Sequence, residues 1–500
     1  MHLNRTAVAS WLIAVTPVRA AIPAHTTFEI RLLTQISSYY SKPGDEVRGV
    51  VVEAVCVGSG SFFPAGTVVR GIVMSVHRVG LGIIHETAKI VLQFREARLA
   101  DGRTVPVAAR LISVDNARER VDSKGAIRGI RATATLSNRI GERLALAAMG
   151  HPIALIPILA VESALFRFPD PEIDYRLGTD LHLELDGPLS LPPTAACVDR
   201  ISQLDQSQEL QNIVAQVPYW TYTTRQHNAM DPTNLMFIGS EQSLNRAFES
   251  AGWTGARSYS PAADLKIVRA MAEDHADRDA PMRTLLLDDR QPDMYRQKAL
   301  NTFEKRHHIR LWKRPEQWDG ATVWAASATW DIATTFSFRY GFTHRVQEDA
   351  DLERDKVVGD LAFTGCVDKV VYVYRPEHPG ISEPKRKRAL WTDGRVAVVA
   401  LNSCTSPAQA PEPSVEYGKP PLSVRCVRRV TLTARNHFLR DNLVWRGGEG
   451  IYVAYRALRD WRQQRTASRI AAGEGTPAPP SMPAGGGCEL NGALGLILGM

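Results

Sequence analysis

Three short segments of this 500-residue chain carry side chains suited to chemistry on an anionic group. In Arg306-His-His-Ile-Arg-Leu-Trp312, strand alternation puts His308, Arg310 and Trp312 on one face and His307, Ile309 and Leu311 on the other. The adjacent histidines therefore cannot enter one small site together. His308 and Arg310 can: the guanidinium fork grips an anion, and the imidazole titrates near neutrality as donor or acid. His344 follows Gly341 in what reads as a loop before an acidic run. Asp351 and Asp355 are four apart and share one helical face, with Arg354 three residues from Asp351. Joined, His308, Arg310, His344, Asp351 and Asp355 would form an anion-binding or metal-assisted hydrolytic centre, with His308, His344 and Asp355 as metal-ligand candidates. A simpler reading competes with it. Acidic residues complement a helix N-terminus, charges at i,i+4 solvate a face, and a strand histidine hydrogen-bonds in place. The set names no cofactor, and the chain has no Walker loop, dinucleotide fingerprint, GxSxG or HExxH.

These residues need elements to hold them. Residues 21–190 read as β-structure with an echo: Ile22-Pro-Ala-His-Thr-Thr27, Phe63-Pro-Ala-Gly-Thr67 and Tyr175-Arg-Leu-Gly-Thr179 each lead into an amphipathic strand. Asp101-Gly102 sits between alternating segments as a hairpin turn. The pattern predicts a β-sandwich or barrel. Residues 191–209 form a linker. Asp231-Pro-Thr-Asn234 then reads as a turn, Leu235 to Gly239 as a buried strand, and Ser240 as the cap of a helix with Leu244, Ala247, Phe248 and Ala251 on one face. That order predicts an α/β domain over 210–402. Residues 403–465 are expected to extend it with further strands and a closing helix, before a Gly/Pro-rich disordered tail over 466–500. The fold class is therefore mixed α+β. Trp312, Trp318, Trp324 and Trp330 are expected in the core.

The first twenty residues read as a signal peptide. Ala7 to Val15 is apolar and too short to span a bilayer, Pro17 breaks it, and Val18-Arg-Ala20 offers a cleavage site before Ala21. Leu144 to Phe166 is interrupted by Pro152, Pro157 and Glu162 and reads as an apolar connection rather than a span. The net charge of +7, or 7 − 2 = +5 once Arg5 and Arg19 leave, does not indicate nucleic-acid binding, and a membrane surface or other envelope proteins are the expected partners. Lys385-Arg-Lys-Arg388 reads as a solvated run. Of six cysteines none forms a CxxC pair; Cys404 with Cys426 is the first choice for a disulfide, against isolated buried thiols.

Two resemblances follow from these motifs. Asp231-Pro-Thr-Asn-Leu-Met-Phe-Ile-Gly239, Ala251-Gly-Trp253, Arg306 to Trp312, Thr343-His344, Asp351-Leu-Glu-Arg-Asp355 and Trp391-Thr-Asp-Gly-Arg-Val-Ala397 resemble, in order, the LssY C-terminal domain family across 210–402. The chain departs from it at Thr284-Leu-Leu-Leu-Asp-Asp-Arg290, where an aromatic segment is expected, and lacks the membrane modules found beside that domain. The turn-and-strand units resemble, with shorter motifs, the β-domains of TrbI-like secretion-channel proteins. Together the resemblances imply an exported envelope protein acting in assembly or interaction. The alternative is a periplasmic hydrolase of a phosphate-containing or other anionic substrate, using the His/Arg/Asp set.

Overall fold

The computed structural model describes residues 21–436, 451 and 454–466, apart from 58–59, 82–85, 100, 141–168, 191–194, 197–201, 204–206, 258–260, 338–340, 376–389, 406–411 and 419. The signal-type segment, the apolar stretch 144–166, the run at 385–388 and the tail lie outside these residues. The chain forms two compact units, Met1–Thr433 and Ala434–Met500.

Six strands of the first unit close a barrel: β1 (Thr27–Leu32), β2 (Glu46–Val51), β3 (Val68–His77), β4 (Lys89–Arg98), β5 (Thr104–Val114) and β6 (Asp180–Leu185). Each pairs antiparallel with the next, and β6 returns to β1. Closure leaves no strand edge within the ring. The three echoed turns are one device used three times. The hydroxyls of Thr26, Thr67 and Thr179 donate to the carbonyl three residues back, on Pro23, Pro64 and Arg176, at 2.7–2.8 Å. They launch β1, β3 and β6. Strand alternation sends Phe28, Ile30, Val69, Phe94, Leu111, Leu181 and Leu183 into one core. At the β3–β4 bulge the backbones approach so closely that a Cβ on Gly71 would meet the Gln93 carbonyl.

A nine-stranded sheet is the second main element of this unit. Its main strands are β7 (Leu235–Ile238), β8 (Met294–Lys298), β9 (Arg306–Trp318), β10 (Ala321–Ser337), β11 (Gly341–Val346), β12 (Val367–Tyr374) and β13 (Arg395–Leu401). The central order is β12-β13-β7-β10-β9-β8, with β11 on the far end of β10. Only β7 against β13, and the short Ser202–Gln203 against β12, run parallel. Both faces are covered. Helices α2 (Glu241–Ser250) and α4 (Ala350–Phe363) pack on the side of Phe237, Ile309, Leu311 and Trp324. Helix α1 (Gln208–Gln216) packs on the side of Met236, Ile238, Trp312 and Val323. Helix α3 (Pro261–Glu273) meets Phe303 in a smaller cluster. Ser240 caps α2 by accepting from the Ser243 amide, and Gly252 takes the left-handed conformation just after it.

Four expectations are corrected. His344 lies in strand β11, not a loop, because residues 341–346 pair with the end of the 17-residue β10. Asp231 belongs to the short strand Ala229–Pro232 rather than a turn. Leu422–Arg435 is helix α5, because Val424, Val427 and Val430 recur every three residues and not every two. Cys404 bonds to Cys366, with Cα atoms 4.7 Å apart, while Cys426 is an exposed free thiol on α5. Pairing of β12 with β13 brings the end of α4 to the end of β13, which sequence spacing does not reveal. Cys56 is also disulfide-bonded. Of the four tryptophans expected in the core, Trp312 and Trp324 are buried, whereas Trp318 and Trp330 are only half-buried. Among the described residues no helix is long and apolar enough to cross a membrane.

The Cys366–Cys404 bridge closes a 38-residue separation. The double variant Cys366→Ser, Cys404→Ser is expected to lose about 2–4 kcal/mol in urea unfolding, with the Cys56 bridge still in place.

Candidate functional site

Strand β9 divides the chemistry between its two faces. On the α4 face, His307 is clamped by two carboxylates from different parts of the fold: Nδ1 lies 2.6 Å from Glu353 of α4, and Nε2 lies 2.9 Å from Asp115 just after β5. Its ring stacks on Trp330 at 5.3 Å, and the Trp330 indole donates to Asn116. Burial alone would neutralise this imidazole, but Asp115 and Glu353 outweigh it and raise the pKa to about 10. Burial likewise opposes ionisation of Asp115, and His307 overrides it, bringing the carboxyl to about 2.

Beside this clamp lies a closed ion cluster. Asp180 of β6 accepts from Arg31 of β1 at 2.7 Å, from Lys298 of β8 at 2.8 Å and from Lys356 of α4 at 2.9 Å. Asp360 of α4 accepts from Arg31 at 2.7 Å and from both lysines at 3.0 Å. Lys356 also reaches Glu29 at 2.7 Å, and the Trp253 indole donates to Asp360. The oxygens of Glu29, Asp180 and Asp360 are close enough together to hold a metal ion, yet two ammonium groups and a guanidinium already sit among them. Burial raises the Asp360 carboxyl, but the two lysines and Arg31 hold it far below the usual range. Desolvation makes such a cluster costly to build and more costly to break, because removing one partner strands the others.

On the opposite face stand Arg306, His308 and Arg310. The Arg306 guanidinium donates to Asp331 of β10 at 3.2 Å and to Gln297 at 3.2 Å. His308 Nε2 meets the Thr329 hydroxyl at 2.7 Å, and its Nδ1 lies 3.5 Å from Asp331 Oδ2. His344 Nδ1 lies 3.6 Å from that same oxygen. Arg310 donates to Asp231 at 3.2 Å and to the Arg283 carbonyl at 3.0 Å. Burial pushes His308 down to about 4 and lowers His344, so both rings are neutral at pH 7. Burial works against the Asp331 anion, but His308, His344 and Arg306 together keep it below the usual carboxylate range. Two neutral imidazoles, a carboxylate and a guanidinium converge here. The Phe303 ring packs on His344 at 5.2 Å and also lines a cavity of about 530 Å³. Five arginines between Arg118 and Arg139 wall that cavity, and Thr334, the strand partner of His344, reaches it.

Asp351 and Asp355 lie elsewhere. Asp351 accepts from Arg354 at 3.0 Å and from the Thr392 hydroxyl at 2.9 Å. Asp355 accepts from Arg354 at 2.8 Å and from the Tyr372 hydroxyl at 3.0 Å. Arg354 also binds Asp393, fastening α4 to the start of β13. The fold thus brings His308 and His344 together on Asp331, with Arg310 next along the strand, and uses the aspartates around Arg354. No described contact joins Asp355 to either histidine. Sequence reasoning missed Asp331 and Arg306, which complete the histidine cluster, and the pairing of His307 with Asp115. Alternation along β9 carried the signal for Arg306, which shares the face of His308.

Residues 214–396 match the family model described as LssY C-terminus, inside the stretch whose motifs resemble that family. The matched segment contains β7 to β12 and all five candidate residues. ComB10 of the Com type IV secretion system of Helicobacter pylori is similar in structure at 13% identity, over 35% of this chain and 93% of that one, with a TM-score of 0.21. None of the curated proteins matches this chain.

Two measurements check this geometry. Replacing Asp360 by Asn keeps the shape but leaves Arg31, Lys298 and Lys356 to share Asp180, with Glu29 reaching Lys356, and the resulting excess of buried positive charge is expected to cost about 3–5 kcal/mol in denaturant unfolding. The adjacent histidines also impose opposite pH slopes. His307 holds a proton in the folded state up to about pH 10 that the unfolded chain releases near 6.5, so its contribution falls as pH rises between them. His308 refuses a proton down to about pH 4 that the unfolded chain accepts below 6.5, so its contribution falls as pH drops. Stability against pH should peak near 6.5; a His307→Gln variant should lose the alkaline slope, up to about 1.4 kcal/mol per pH unit, and keep the acid one.

Proposed function

We propose that this chain is an exported cell-envelope protein that acts as a non-catalytic assembly or interaction component. One observation carries this reading. The side chains most capable of chemistry are buried and largely spent on fixed partners: Arg306 donates to Asp331, Arg310 to Asp231, His308 Nε2 meets the Thr329 hydroxyl, and Asp351 and Asp355 serve Arg354, leaving Nδ1 of His308 and of His344 near Asp331 without a hydrogen bond. Export is supported by the leader-like residues 1–20 and by the Cys366–Cys404 bridge, since disulfides persist in oxidising compartments. Chemically, a domain matching the LssY C-terminus is joined to a closed barrel by buried charge, and such a rigid pair suits presentation of fixed surfaces to other envelope proteins.

A second reading, a periplasmic hydrolase of an anionic substrate, draws on His344. Its side chain is 22% exposed and stands between Asp331 and the Phe303 wall of the arginine-lined cavity, where a neutral imidazole can take up a proton. A broad phosphatase and esterase screen on mature protein separates the two readings. The expected outcome is no turnover that depends on His308 or His344. Activity abolished by both His308→Ala and His344→Ala, with melting temperatures near that of the parent, would establish the hydrolase instead.

A further inference from the structure

The barrel carries three arginines in a row on its outer face. Arg48 of β2 stands directly opposite Arg70 of β3 in the strand register, and Arg98 ends the neighbouring β4. Like charges directly opposite each other destabilise a sheet. Glu46 and Glu96 come no closer to the row than 3.8 Å, too far for a hydrogen bond. The anion that enters it is Glu412, far away in sequence. Its side chain is 8% exposed and accepts from Arg48 at 3.0 Å, from Arg70, and from Arg98 at 3.3 Å. The Nε atoms of Arg48 and Arg70 are buried and still have no hydrogen-bond acceptor among the described residues. The row holds a carboxylate and offers more donors than this one uses.

Glu412 opens a short strap, residues 412–417, that lies along the barrel. Val415 donates its amide to the Leu33 carbonyl and accepts from the Gln35 amide, both at 2.9 Å, in a single parallel bridge just past β1. The Tyr417 amide donates to Gln35 Oε1 at 2.9 Å, its hydroxyl donates to Asp45 at 3.2 Å, and its ring stacks on Tyr40. Pro413, Ser414 and Glu416 between them are exposed. A carboxylate, a backbone pair three residues on and an aromatic ring two further on hold the whole segment. That is how a surface reads an extended peptide added beside a strand. The strap is anchored elsewhere at both ends. The Cys366–Cys404 bridge precedes it, and after it Arg428 of α5 binds Glu172 while Leu432 enters the barrel core. It can therefore lift without disturbing either anchor, and a stretch held by so few contacts opens before the cores do.

We infer that the Arg48, Arg70 and Arg98 row and the Leu33 to Gln35 backbone form a docking groove for an extended acidic peptide of a partner protein, and that residues 412–417 fill it in cis until such a peptide displaces them. Charge and tethering decide the occupant. Three guanidinium groups select a carboxylate, through charge-assisted hydrogen bonds. A free anion would take the row but leave the Leu33 carbonyl and the Gln35 amide unpaired, whereas a peptide satisfies both. A second copy of this chain would offer only a strap tethered at both ends, and would have to vacate its own groove. The inference rests on the assembly reading for the existence of a partner, and adds what that partner presents. Peptide binding is measured on the purified chain alone, so the groove can fail while the assembly reading stands. Turnover in the hydrolase screen would remove the assembly reading and leave the groove measurement untouched.

The test is fluorescence anisotropy of a labelled peptide of residues 412–418 (EPSVEYG) with the full mature chain, as parent and as E412Q with Y417A. The double variant empties the groove and keeps both anchors. In the parent the tethered strap competes at about millimolar effective concentration, so the variant is expected to bind the peptide at least about tenfold more tightly. Saturating peptide should also raise the melting temperature of the variant. Binding should weaken with salt, and should fall about tenfold or more when the peptide carries Glu412→Gln or when R70Q is added to the variant. Should the double variant lose its cooperative melting, E412Q alone carries the same titration. Equal binding by parent and variant, no binding to a folded variant, indifference to the glutamine peptide or to R70Q, or a dimer of the parent that E412Q abolishes would each overturn the inference.

Discussion

Asp180 and Asp360 come from different parts of the chain, one from the last strand of the barrel and one from the helix that covers the sheet. Neither can stay ionised in the dry seam between them unless cations are carried in with them. Arg31 arrives on the barrel, Lys298 on a strand of the sheet and Lys356 on the helix itself. The seam is therefore satisfied only in one register. Moving barrel against sheet would leave several buried charges without partners at once, so the ion cluster acts less as glue than as a lock. His307 closes a second lock close by, bridging Asp115 of the barrel side and Glu353 of the helix.

The same strand that supplies His307 to this seam turns His308 the other way. One residue of difference puts one imidazole between two carboxylates and the other, equally buried, beside one carboxylate with the Arg306 and Arg310 guanidinium groups close by. Their acidities diverge for that reason alone. Two neighbouring histidines are thus split by the pleat into a cation and a neutral group at pH 7. Among the described residues, the place where neutral imidazoles approach one carboxylate is Asp331, which draws His308 and His344 together across three strands.

The barrel and the sheet also differ in how they handle their edges. The barrel removes its own by closing β6 onto β1. The sheet instead covers both faces, with α2 and α4 on one side and α1 on the other. Helix α5 follows neither rule: its Leu432 enters the barrel core, while Val427 and Val430 face solvent.

Much of the secondary structure was legible because its causes are local. Prolines, glycines and threonines at fixed offsets mark the three turns that start barrel strands, and the Ser240 cap with a stripe at Leu244, Ala247 and Phe248 marks a helix. Strand alternation alone separated His307 from His308. Local pattern went wrong where a run of residues suits two periods, as at Val424 to Val430. It also failed where pairing comes from afar, as at His344, whose strand exists only because β10 is long enough to be met by the returning chain. The candidate site was legible in its residue types and not in its membership. Asp331 lies 23 residues from His308 in sequence and Asp115 lies 192 from His307, and no spacing rule reaches that far. The amino-acid sequence by itself determined the turns, the capped helix and the faces of each strand, because each depends on neighbours within a few residues. Only the tertiary structure decided which charges meet, which cysteines join and which histidine keeps its proton, because those follow from desolvation and from partners that folding alone brings within reach.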